Sequence, residues 1–145
     1  HSHFDHMAGI NGLCQMFPEC KVYTSEYGKD ALYSDKKNFS LYNEQSVVYN
    51  GDNVEVLHDG DTVAIFEDAE LYVLATPGHC PSCLTFYTDN YVFTGDSYIP
   101  EVPVVTKLPK GNRALAEASK EKILKIAEGR KIMAGHDKDS WISMF

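Results

Sequence analysis

Several things are scarce in this sequence. No apolar stretch approaches the roughly 20 residues that a bilayer-spanning helix needs, and no secretory hydrophobic core is present. No run of Lys or Arg stands out, and the formal net charge is −8, which disfavours a general attraction to nucleic acid or an anionic membrane while leaving room for a small local basic pocket. The four cysteines (Cys14, Cys20, Cys80 and Cys83) are too few for a disulfide scaffold at 145 residues. Cys80-Pro81-Ser82-Cys83 has C-x-x-C spacing, but no second such pair completes a four-sulfur zinc site, so reduced thiols in a cytoplasmic protein are expected. Internal repeats, low-complexity tracts and composition breaks are missing as well. One domain spanning residues 1–145 is therefore expected.

What remains reads as alternating elements. Met7, Ile10, Leu13 and Cys14 have helical spacing, predicting a helix from Asp5 to about Met16 that Pro18 ends, with Met7 and Leu13 in the core. Lys21 to Thr24 reads as a short strand, Ser25 as the N-cap of a helix through about Tyr33, and residues 36–51 as loop or short irregular helix. Val54 and Val56 alternate with polar residues, and Val63 and Ile65 continue the pattern beyond Asp59-Gly60, predicting a hairpin. Further strands are expected at Glu70–Ala75, Leu84–Thr88, Tyr91–Phe93 and Lys131–Ala134. A helix between Gly111 and Gly129 is expected to bury Leu115, Ala118, Ile123, Leu124 and Ile126. This order implies an α/β or α+β layered domain.

Chemistry concentrates in the histidines. His1-Ser2-His3-Phe4-Asp5-His6 holds three imidazoles and a carboxylate in six residues. Residues 1 and 3 of an extended segment point the same way, and Asp5 and His6 can serve a neighbouring ion from the following turn. Imidazole and carboxylate suit zinc, iron or manganese, whereas calcium prefers oxygen alone. His79, Asp96 and His136 each follow a glycine at the end of an expected strand, where a sharp turn can present a side chain to a cleft. His58 is a surface residue, and Asp59 and Asp61 belong to the turn. Tyr98 follows Asp96 closely and is expected to pack at the cleft wall rather than to stabilise an oxyanion. Cys80 is expected to be a wall residue too.

The pieces HSHFDH, TPGH, TGD and AGH, in this order from His1 to about Asp137, resemble the metallo-β-lactamase superfamily. The resemblance implies an αββα sandwich and two divalent ions, zinc foremost, with iron or manganese as alternatives. It implies that His1, His3 and His79 bind the first ion and Asp5, His6 and His136 the second. Asp96 would bridge both together with a hydroxide, and Asp5 and Asp96 are the carboxylates it assigns to catalysis. Coordination lowers the pKa of water from 15.7 to about 7, which makes a nucleophile at neutral pH. The implied activity is hydrolysis of an ester, thioester, lactone or related bond in a small-molecule substrate. His6 and Asp96 stand where the main β-lactamase type has Arg and Cys, and the ligand set is glyoxalase II-like. Two other readings are a mononuclear iron persulfide dioxygenase-like enzyme and an inactive metal-binding fragment. Family members have several strands before HxHxDH and none precedes His1 here, so an N-terminally truncated fold is expected. Its exposed sheet edges would favour a homodimer.

Overall fold

The structure, a computed structural model, describes residues 1–139, and the chain forms two compact units, residues 1–57 and 58–145. In the first unit the expected leading helix is interrupted. Helix α1 spans Phe4–Met7 and α2 spans Ile10–Met16, with Gly9 as the N-cap of the second. Gly is a poor helix interior residue, and here it marks the break. Ile10 and Cys14, four residues apart on one face of α2, pack against a core of Met7, Leu32 and Tyr49. Leu13 is 57% exposed, so its expected core role is incorrect.

Strand β1 (Val22–Thr24) and helix α3 (Glu26–Leu32) follow. Ser25 caps α3 as expected, its hydroxyl accepting from Gly28 N–H at 3.2 Å. Residues 36–51 form turns and a single 3-10 turn at Ser40–Tyr42. Strand β2 (Val54–Val56) then pairs parallel with β1, Val22 opposite Val54 and Thr24 opposite Val56. This overturns the expected hairpin between residues 53 and 65, because Val54 finds its partner 32 positions earlier in the chain. Asp59-Gly60-Asp61 does turn the chain, with Gly60 at φ +88 and the Asp61 carboxylate accepting from His58 N–H at 2.7 Å. Period-two alternation gave the strands correctly, but it carries no information about which strand is the partner.

The second unit is a five-stranded sheet ordered β3-β4-β5-β6-β7. Its strands are Thr62–Phe66, Ala69–Ala75, Leu84–Tyr87, Tyr91–Gly95 and Lys131–Ala134. β3 to β6 form antiparallel neighbours, and β7 joins β6 in parallel. A parallel pair needs a crossover, which helix α4 (Arg113–Ile126) supplies. Asn112 caps α4 by accepting from Leu115 N–H at 3.0 Å. The helix was placed correctly and Ile123 is buried as expected, but the rest of its buried face differs. Ala116, Ser119 and Ile123 are buried, whereas Ala118, Leu115 (46%) and Leu124 (42%) are exposed. Small residues at 116 and 119 let α4 approach the preceding loop closely, and that contact outweighs the burial of larger side chains.

Candidate metal centre

In the first unit the HSHFDH segment runs extended into α1, with His3 at the N-cap in β conformation. The side chains of His1, His3 and His6 gather there. The His1 ring centroid is 4.5 Å from that of His3 and 4.1 Å from that of His6. Asp5 Oδ2 stands 3.5 Å from His6 Nε2.

In the second unit His79, Asp96 and His136 meet about one carboxylate. His79 (2% exposed) lies beyond β4, Asp96 (4%) directly after β6, and His136 just after β7. His79 Nδ1 lies 2.8 Å from the Val105 carbonyl oxygen. A carbonyl only accepts, so Nδ1 carries the proton and the neutral ring presents its lone pair at Nε2. That Nε2 is 3.5 Å from Asp96 Oδ2, while His136 Nε2 is 3.6 Å from Asp96 Oδ1. Each oxygen of one carboxylate thus faces a different imidazole.

These spacings separate an ion pair from a ligand set. A charge-assisted N–H···O bond runs about 2.7–2.9 Å. Two donors on one tetrahedral ion, each about 2.0–2.1 Å from it, stand about 3.3–3.4 Å apart. The observed 3.5 and 3.6 Å fall near the second value. The donor set, imidazole with carboxylate and a carbonyl fixing the tautomer of one ring, fits a transition-metal ion.

The metallo-beta-lactamase superfamily model matches residues 1–136. The chain belongs to that superfamily. It is 30% identical over 140 residues to "Glyoxylase B2" of Dictyostelium discoideum, covering 94% of this chain and 47% of that protein. It is 31% identical over 97 residues to "Hydroxyacylglutathione hydrolase" of Enterobacter sp. (strain 638), covering 67% of this chain and 30% of the relative. The chain therefore spans half or less of the length of these two relatives. Among solved structures, the B3 metallo-beta-lactamase BLEG-1 superposes with a TM-score of 0.81 at 22% identity, over 94% of this chain and 66% of the other. That likeness establishes the metallo-beta-lactamase fold.

Several residues that position this superfamily's motifs were not singled out from the sequence. The TPGH turn is held by α4: Asn112 N–H donates to the Gly78 carbonyl at 2.8 Å, and Ser119 Oγ donates to the Pro77 carbonyl at 2.7 Å. Gly78 sits at φ +142, and a Cβ there would meet the Ala116 backbone N and Cα at 2.4 Å. Beneath the strand ends, Thr76 Oγ1 lies 2.9 Å from Thr85 Oγ1 and donates to Ser97 Oγ at 3.1 Å. Ser97 Oγ donates in turn to the Thr76 carbonyl at 2.9 Å, closing a fully buried hydroxyl network between the loops that carry His79 and Asp96.

In the first unit, fully buried Asn38 plays a similar part. Its carbonyl accepts from Phe4 N–H at 2.9 Å, and its amide donates to the Val47 carbonyl at 2.7 Å. The next residue, Phe39, sits at φ 66 and sets its ring 4.8 Å from that of His3. The only available signal for Asn38 was a lone Asn in a polar segment, which ordinarily reads as a turn residue.

As expected, His58 is exposed. Tyr98 lines a cavity of about 520 Å³ in the second unit, together with Ile99, Val104, Thr106, Arg113 and Lys120. Val104 and Thr106 flank the residue whose carbonyl orients His79, so that cavity shares a wall with the His79 support. Cys80 and Cys83 are buried and not joined in a disulfide, their sulfurs 3.6 Å apart. Among the described residues, no helix is long and apolar enough to cross a membrane.

Proposed function

We propose that this chain carries the active site of a metal-dependent hydrolase, with thioesters as the substrate class. The single observation behind the reading is Asp96, whose two oxygens each face a different imidazole at 3.5 and 3.6 Å. A carboxylate so placed suits a pair of ions better than one. Following the ligand order of the superfamily, His1, His3 and His79 are assigned to one ion and Asp5, His6 and His136 to the other, with Asp96 shared. Bound ions of this kind supply a water acidic enough to attack at neutral pH and an electrophilic partner for the substrate oxygen.

The chain's own residues do the positioning. The Val105 carbonyl keeps the His79 proton on Nδ1, so the ring acts as a donor through Nε2. The Thr76–Thr85–Ser97 network ties the ends of β4, β5 and β6 together, limiting movement of His79 relative to Asp96. Two carboxylates, Asp5 and Asp96, balance part of the cationic charge and leave the site net electrophilic. The cavity at Tyr98 and Arg113, lined by Lys120, Glu101 and Glu117 as well, is the assigned substrate pocket. The thioester class rests on the name of the Enterobacter relative, hydroxyacylglutathione being a thioester, and on the glyoxalase II-like ligand set.

The test is metal analysis of the purified chain combined with a panel of thioester, lactone and β-lactam substrates. Two metal ions per chain and thioester turnover are expected. Asp96→Asn should lower both metal content and turnover, the latter by at least about 100-fold, in line with the loss of an essential charge in a metal site. One iron per chain with oxygen uptake on a persulfide would replace the hydrolase reading with an oxidative one. Absence of turnover at full metal loading would overturn it.

A further inference from the structure

A second reactive cluster lies in the first unit, apart from the candidate ligands. Cys14 is in the last turns of α2 and Cys20 precedes β1, yet their sulfurs stand 3.3 Å apart. The backbone builds this approach. Phe17 N–H donates to the Leu13 carbonyl at 2.9 Å, and Cys20 N–H donates to the Phe17 carbonyl at 3.0 Å. Pro18 and Glu19 occupy the corner of that turn, where proline's fixed φ is favourable, so Cys20 folds back over α2. Asn53 then fixes Cys20 from the other side, its amide donating to the Cys20 carbonyl at 2.5 Å. Both cysteines are partly exposed, and Cys14 lines an open cavity of about 260 Å³.

We propose that Cys14 and Cys20 form a reversible dithiol–disulfide pair that is oxidised by low-molecular-weight disulfides of the glutathione class. The Cys14 thiolate attacks one sulfur of the small disulfide, forming a mixed disulfide and expelling one thiolate. Deprotonated Cys20 then attacks Cys14 Sγ, forming the Cys14–Cys20 bond and releasing the second thiolate. The two protein thiols lose two electrons and two protons, and the small disulfide gains both, leaving as two thiols. Only side-chain rotation is needed to bring the sulfurs to bonding distance, because the turn already holds the backbones together.

The surroundings assign the order of attack. The Tyr49 hydroxyl, which also contacts Asn53 Oδ1, lies 3.4 Å from Cys14 Sγ, so its single proton can turn to that sulfur when Cys14 is a thiolate; the Cys20 thiol donates to the same sulfur. Both stabilise a thiolate at Cys14 and lower its pKa from the ordinary value, while Cys20 is raised by donating. A structural zinc site is a poorer reading, since the nearest further donors are the Tyr49 hydroxyl and the Asn53 amide rather than thiolate, imidazole or carboxylate. Cys80 and Cys83 provide a contrast. They are only 3% and 2% exposed, and the hydrogen bond with Cys80, followed by burial, pushes the Cys83 thiol well up.

The experiment uses the folded chain incubated with oxidised glutathione, quenched by alkylation and digested with trypsin. No Lys or Arg lies between Cys14 and Cys20, so both fall in one tryptic peptide ending at Lys21, separate from Cys80 and Cys83. The expected product is that peptide lighter by two hydrogen atoms and closed to alkylation. It should form at least about ten-fold faster in the folded chain than in urea, as pre-alignment demands. Reduction with dithiothreitol should restore both thiols. Cys20→Ser should stop at a glutathione adduct on Cys14, and Tyr49→Phe should slow its formation several-fold. Two alkylatable thiols persisting in the folded chain, or closure no faster than in urea, would overturn the proposal. So would an adduct that forms on Cys20 in preference to Cys14.

Discussion

Gly78→Ala is the substitution whose cost follows most directly from the geometry. Gly78 lies at φ +142, a region that L residues rarely adopt, and occupying it costs about 1–3 kcal/mol. The new Cβ would also stand 2.4 Å from two backbone atoms of Ala116 in α4, neither of which can rotate away. Overpacking of that kind costs a further 1–3 kcal/mol or so. The chain can relieve the clash only by lifting the TPGH turn, which breaks the 2.8 Å bond from Asn112 N–H and the 2.7 Å bond from Ser119 Oγ. Each outcome displaces or destabilises His79. Together the terms give about 2–6 kcal/mol, or about 8–25 °C of melting temperature at roughly 4 °C per kcal/mol for a chain of this size. Differential scanning calorimetry of both proteins measures the shift, and metal analysis reads the position of His79. Gly60→Ala is the control, because Gly60 at φ +88 has nothing within 4 Å of a Cβ and carries strain alone. A Gly78→Ala chain melting within about 3 °C of the parent, with undiminished metal, would refute the steric argument.

Other consequences can be checked alongside it. Thr76→Val removes a hydroxyl that meets Thr85 and Ser97 in a fully buried network, and chemical denaturation should show a loss of about 1–3 kcal/mol. Chelation should abolish turnover and lower the melting temperature, since crowded imidazoles and carboxylates lose the ions that hold them together; an unchanged melting curve after verified metal removal would count against a metal centre. The Tyr49 hydroxyl is pushed up to about 12 from its ordinary 10, with its contact to Cys14 the largest cause and burial next. A folded-state pKa above the unfolded one stabilises the chain fully below pH 10, and that contribution is lost as the pH rises towards 12. Urea melts across that range should therefore show a decline that Tyr49→Phe reduces.

Much of the molecule is legible in local pattern. Every strand expected from periodicity exists within a residue or two, Ser25 caps α3, and α4 lies where its helical run placed it. The motifs HSHFDH, TPGH, TGD and AGH identify the superfamily because their chemistry is written in contiguous residues. Apart from the helix break at Gly9, the errors share one cause. Val54 and Val56 pair with Val22 and Thr24 rather than across Asp59-Gly60, Leu13 faces solvent, and α4 buries Ala116 and Ser119 in place of Leu115 and Ala118. In each case the sequence carried the correct local conformation, while the partner was chosen by packing from elsewhere in the chain.

The same division holds for the candidate site. By itself the sequence named the candidate donor atoms and their order, since side-chain identity sets ligand type. Only the tertiary structure decided how those donors are held. Asp96 turns one oxygen to His79 and the other to His136 because the ends of β4, β6 and β7 converge. The Val105 carbonyl selects the His79 tautomer from 26 residues away, and buried Asn38 fixes the backbone that follows His3. Such supports are ordinary backbone carbonyls, amides and hydroxyls, which become specific only when folding removes water and leaves them a single partner.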